Sequence, residues 1–332
     1  MLEAIERTAP VALYRLRESE NVCAVIASTP ETRRITNDPF VVGVDYTNAL
    51  RDACAVTLKV LRQNNVLDVA EQRACVFNIL RGGLNFGLRE ALHQAFGWNT
   101  HASAFVSAQR ARQSDSPEDW YITEHDYKKI YLPPQTDLFF GDVVATGTSL
   151  HYGLSQIVEQ VRNARGSIRS ITFFTIGGAC SEAIVADIAE QCRSLSPDFR
   201  GALVVYFEGR FGVATPETNL RIKLTGTDLL RRECLLAPEF FDSQYQDPAY
   251  PLERCTIYDA GSRAFWLPEY LEDVREYWAA CAELAEQGTI FEDLCRERMP
   301  DLDPERFGRV DLRELCERQL RKVEAILSDT SR

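Results

Sequence analysis

The residues best suited to chemistry in this 332-residue chain form one run, Phe139-Phe140-Gly141-Asp142-Val143-Val144-Ala145-Thr146-Gly147-Thr148-Ser149-Leu150. An apolar strand brings one carboxylate to the start of a small-residue turn, and the turn leads into a helix. Such a turn presents successive backbone N–H groups and hydroxyls to a phosphate, and the helix N-terminus adds partial positive charge. Gly147 allows close approach of the backbone. Asp142, at the strand end, is suited to hold a ribose hydroxyl or a magnesium-bound water. Without a ligand, the Thr and Ser residues would simply cap a helix. The strand and acid upstream favour the phosphate reading.

The surrounding pattern predicts the elements that position this turn. Residues 42–64 repeat apolar positions at three- and four-residue steps and read as a helix. ACVFNIL at 74–80 reads as a buried strand, followed by glycines at 82, 83 and 87 and a helix closed by Gly97. ASAFVSAQRAR at 102–112 reads as a strand, and the polar stretch 113–126 as a long loop. Strands at 136–144, 170–176 and 201–208 alternate with helices, which implies β-α-β units and a parallel sheet. The segments 81–87, 112–126 and 142–149 all follow strands, so they are expected on one edge of that sheet, where α/β proteins hold ligands. From 267 to 332 the chain reads as charged, amphipathic helices: a helical extension to a domain spanning 1–266.

Composition narrows the class. A net charge of -12 disfavours a general nucleic-acid binder, which needs a basic stripe. The start MLEAIERTAP lacks the basic and apolar regions of a signal peptide, and no run approaches the roughly 20 apolar residues of a membrane span. A cytoplasmic location without membrane partners is therefore expected. Ten cysteines occur without a C-x-x-C pair and read as reduced, packed thiols. Neither G-x-x-x-x-G-K-[ST] nor G-x-G-x-x-G occurs, so nucleoside triphosphatase and dinucleotide readings have no anchor.

The run 139–150 resembles the loop that binds 5-phosphoribosyl 1-pyrophosphate (PRPP) in type I phosphoribosyltransferases. Three further segments resemble the uracil branch of that family. Ile79-Leu80-Arg81-Gly82-Gly83-Leu84-Asn85-Phe86-Gly87 is similar to its pyrophosphate loop, and Tyr127-Lys128-Lys129-Ile130-Tyr131-Leu132-Pro133 to its approach to the PRPP strand. Asp259-Ala260-Gly261-Ser262-Arg263-Ala264-Phe265 resembles the base-site motif. The four segments follow the family's order over about residues 75–266.

The resemblance implies an α/β fold with a type I phosphoribosyltransferase-like parallel sheet flanked by helices. It also implies magnesium-dependent transfer of ribose 5-phosphate from PRPP to a small acceptor, with loss of pyrophosphate. Arg81, Gly82 and Gly83 would hold pyrophosphate, with Arg110 and Arg112 adding bidentate contacts. Ala145, Thr146, Gly147, Thr148 and Ser149 would cradle the 5-phosphate, and Asp142 would serve the ribose and, through water, the metal. Residues 113–126 would close over the site to exclude water. Tyr258, Asp259, Ala260, Gly261 and Arg263 would meet the acceptor. A homo-oligomer, such as a homodimer, is also expected. The plainer roles are a turn cap for Arg81, a surface location for Arg110 and Arg112, and an ion pair between Asp259 and Arg263.

The sequence departs from the family in three places. Gly141 stands where the first acid of the PRPP motif is usual. The glycine-containing run that reads uracil is replaced by Pro251-Leu252-Glu253-Arg254-Cys255-Thr256, after an insertion at about 209–250. The helical extension has no counterpart in the simple uracil enzyme. An acceptor other than uracil is therefore expected. The competing readings are a catalytically silent PRPP or nucleotide sensor, and an assembly role dominated by the helical extension.

Overall fold

In a computed structural model, residues 2–8, 10–16, 22–80, 85–107, 109–113, 116–124, 127–145, 147–223, 228–253 and 266–330 are described. The chain opens with β1 (Leu2–Glu6), β2 (Ala12–Leu16) and β3 (Cys23–Ser28), then α1 (Pro30–Asn37) and α2 (Gly43–Gln63). The apolar run at 74–80 becomes β4 (Ala74–Leu80). Six of its seven residues are buried, as a central strand covered on both faces requires. There follow α3 (Leu88–Phe96), β5 (Ala102–Ser107), β6 (Gln109–Gln113), β7 (Ser116–Glu124), β8 (Lys128–Ile130) and β9 (Gln135–Val144). Next come α4 (Thr148–Asn163), β10 (Ser167–Gly178), α5 (Cys180–Leu195), β11 (Gly201–Val213), β12 (Leu229–Leu236) and α6 (Pro238–Ser243). The chain closes with α7 (Leu267–Glu286), α8 (Phe291–Arg298) and α9 (Leu312–Thr330).

Ten of these strands form one sheet in the order β1-β2-β3-β11-β10-β9-β4-β5-β8, with β12 added beside β11. The strands from β3 to β5 are mutually parallel, while β1, β2, β8 and β12 join antiparallel. The fold is therefore mixed α/β, a central sheet flanked by helices. Taken in chain order, the five strands β4, β5, β9, β10 and β11 lie second-first-third-fourth-fifth across the sheet. Connections leave β4 and β9 in opposite directions, which creates a switch point between them at the carboxyl edge.

Aromatic packing locks the sheet centre. Phe140 stacks on Phe173 with ring centroids 4.5 Å apart and meets Phe77 edge-on at 6.1 Å. α4 covers this face, since a Cβ at its Gly153 would touch Phe77 Cζ at 3.1 Å. α2 and α3 pack together on the opposite face, where Phe86 meets Gly141. At the amino edge, the fully buried Asp137 accepts from Arg73 Nε (3.0 Å), Arg169 Nη1 (3.1 Å) and Ser170 Oγ (2.7 Å).

Two sequence expectations change. The 102–112 strand ends at Ser107, and residues 109–113 leave the main sheet to pair with β7. The stretch read as a long loop is thus a β-hairpin, because Trp120, Tyr121 and Ile122 favour extended backbone despite their polar neighbours. The helical extension is tied to the α/β unit: Tyr270 Oη donates to Pro39 O at 2.8 Å, and Trp278 Nε1 donates to Glu253 Oε1 at 3.0 Å. Among the described residues, no helix is long and apolar enough to cross a membrane. Their nine cysteines are free thiols, and burial pushes Cys75, Cys192, Cys281 and Cys316 up to about 12.

Candidate functional site

Alternation along β9 separates the two residues at its carboxyl end. Asp142 lies two positions beyond Phe140 and shares the face covered by α4, whereas Gly141 shares the face of Phe139. A Cβ at Gly141 would lie 2.5 Å from Phe86 Cδ1 and 2.8 Å from Phe86 Cβ. Phe86 is fully buried, so its ring fills the space on that side. Asp142 is half-buried, and its Oδ1 accepts from the Val143 N–H at 3.0 Å.

The turn after Asp142 starts α4 through Gly147, whose backbone is left-handed at φ +80. A Cβ there would overlap Ile184 Cδ1 on α5, so conformation and packing both require glycine. The N-cap of α4 is this glycine, which has no side chain to cap the helix. Thr148 and Ser149 are half-buried in that turn, and His151 N–H donates to Gly147 O at 2.9 Å. Cys180 Sγ, at the start of α5, donates to Ala145 O at 2.9 Å and joins the turn to the neighbouring helix. Burial raises the Cys180 thiol above its ordinary range.

The turn stands at the switch point, beside the carboxyl end of β4. Arg81, Gly82 and Gly83 follow β4 directly and lie outside the described residues, as do Thr146, Tyr258, Asp259, Ala260, Gly261 and Arg263. Arg110 and Arg112 lie on β6 and pair with Ile122 and Trp120 of β7. That hairpin emerges from the carboxyl end of β5 and approaches α4. The structure therefore gathers Asp142, Ala145, Gly147, Thr148, Ser149 and the arginine-bearing hairpin at one edge.

Asp142 is the single acid of the segment 142–149 and could hold a water of a hydrated divalent cation. Among the described residues no group of three His, Cys, Asp or Glu side chains forms a metal site of its own. The sequence reading missed Phe86, since nothing in Asn85-Phe86-Gly87 marks it as the partner of Gly141. It also missed Glu182, Glu208 and Arg210, which meet the same edge.

No family model matches the chain, and no curated protein matches it. Among solved structures, the AQ2163 protein from Aquifex aeolicus is similar at 12% identity and a TM-score of 0.36, covering 55% of this chain and 84% of that one.

Proposed function

We propose that this chain is a magnesium- and PRPP-dependent phosphoribosyltransferase with a type I phosphoribosyltransferase-like core, acting on a small nucleobase-like acceptor other than uracil. The observation that carries the reading is the α4 start. Its turn is opened by a left-handed glycine and preceded by a strand-end carboxylate at the switch point of the sheet. Backbone N–H groups there suit a 5-phosphate. In the reaction the bond from ribose C1 to pyrophosphate breaks, and its electron pair leaves with pyrophosphate. An acceptor nitrogen then gives its pair to C1 and releases its proton. Magnesium would neutralise the departing anion, with Asp142 holding one of its waters.

Isothermal titration of PRPP with magnesium tests the reading, run beside the double variant Asp142→Asn, Thr146→Ala. Binding in the micromolar range that the variant abolishes supports it. No heat at millimolar PRPP removes it.

A second reading, a PRPP or nucleotide sensor without turnover, is favoured by the contact between Phe86 and Gly141, which leaves no room for an acid at that position. PRPP binding with no pyrophosphate release for any acceptor would select the sensor.

A further inference from the structure

A second polar cluster stands beside the phosphate turn, on β10, β11 and the first turn of α5. Asp142 on β9 is in register with Thr175 on β10, and Thr175 with Tyr206 on β11. Val144 then faces Gly177, but Gly177 faces Arg210, so β11 takes four steps where β10 takes two. The extra residues form a bulge at Glu208, whose backbone is left-handed at φ +64 although the residue is fully buried. Such a conformation costs about 1–3 kcal/mol and persists only where its surroundings hold it.

Here they do. The Glu208 carboxylate accepts from Ser28 Oγ at 2.6 Å, the Thr29 N–H at 3.0 Å and Thr32 Oγ1, and the Glu208 carbonyl accepts from the Ala237 N–H at 2.8 Å. Bulges of this kind re-aim side chains beside functional sites. This one sets Arg210 in the row of Gly177 and Val144, with glycine in the middle position. Arg210 Nη1 donates to Glu182 Oε1 at 3.1 Å, and the two side chains are 20% and 13% exposed. Two residues before Glu182, Cys180 is bonded to Ala145 of the phosphate turn. The buried hydroxyls of Thr175 on β10 and of Ser181, the residue before Glu182 on α5, have no hydrogen-bond partner among the described residues.

We propose that Arg210 and Glu182 form an acceptor subsite beside the phosphate turn, for a neutral planar heterocycle that presents a hydrogen-bond donor next to an acceptor. This rests on the transferase reading above. The guanidinium donates and the carboxylate accepts, so the pair complements an amide edge. A carboxylated acceptor meets Glu182 and a cationic one meets Arg210, so like charge disfavours both.

Pyrophosphate release from PRPP with magnesium tests the subsite, using hypoxanthine and 4(3H)-pyrimidinone, each with a ring nitrogen outside the amide edge, as amide-edged probes and nicotinate as the carboxylated one. At least one amide-edged probe is expected to drive release, and nicotinate is not. Arg210→Met and Glu182→Gln are each expected to lower kcat/KM for that probe about tenfold or more. Calorimetric PRPP affinity should stay within about threefold of wild type, because neither residue belongs to the phosphate turn. Nicotinate as the better acceptor, no release with either amide-edged probe, or unchanged kcat/KM in both variants overturns the subsite. Absence of PRPP binding in the wild type fails the transferase reading itself, and titration without acceptor reveals that separately.

Discussion

Phe86 occupies the space into which a side chain at Gly141 would project, with Cδ1 2.5 Å and Cβ 2.8 Å from where that Cβ would stand. The pair explains why the strand end carries one acid: a second carboxylate would have to displace a buried aromatic ring. Gly141→Asp is therefore expected to destabilise by more than the about 1–3 kcal/mol of simple overpacking, since it also buries charge. Combining it with Phe86→Ala should recover part of the loss by making room. Urea unfolding of the two variants checks this. A Gly141→Asp protein as stable as wild type would show that the ring gives way freely.

That contact also shows which parts of the molecule the sequence could reveal. β4, β9, β10 and β11 were legible because strands buried on both faces read as continuous apolar runs. The turn from β9 into α4 was legible because its residues are consecutive. β1 to β3 escaped notice: β1 is short and mostly uncovered, and β3 finds its parallel partner only in β11, most of the chain away. The β6–β7 hairpin was hidden by polar residues that read as loop. Phe86 with Gly141, and the bulge that sets Arg210 beside Glu182, exist only once distant segments pack, so no local pattern announced them.

Glu208 makes stability depend on pH in a definite direction. Burial holds its carboxyl above the ordinary range, at about 7, against the opposing hydrogen bonds from Ser28, Thr32 and the Thr29 N–H and the nearby Arg33 guanidinium. Between the ordinary carboxyl value of 4.5 and about 7, the native state keeps a proton that the unfolded chain has released. The contribution is complete below that window, falls as pH rises through it, and is lost above it. The slope from one group cannot exceed about 1.4 kcal/mol per pH unit. Denaturant midpoints measured across the window should fall for wild type and flatten for Glu208→Gln. Identical pH curves for the two proteins would assign the titration to another group.

Gly147 separates binding from simple stability. Gly147→Ala must adopt a left-handed backbone and displace Ile184, so a loss of about 1–2 kcal/mol or more is expected. Pairing it with Ile184→Ala should relieve the overlap while the altered turn still binds PRPP poorly. Calorimetry beside thermal unfolding distinguishes the two effects. If the double variant regained both stability and PRPP affinity, packing alone would account for this glycine.

The helical extension should unfold with the sheet. Trp278 is fully buried on α7 and bonds Glu253, while Tyr277 Oη donates to Leu252 O and Tyr270 reaches Pro39 beyond the end of α1. α7 and α9 pack on each other, and their buried side chains join the core that contains the sheet. Removing one such anchor by Trp278→Ala is expected to cost about 3–5 kcal/mol. The loss should shift a single urea transition, seen alike by far-ultraviolet circular dichroism and by fluorescence of Trp98 or Trp120 in the α/β part. Two transitions, with only one moved by the substitution, would mean that residues 267–332 fold as a separate unit.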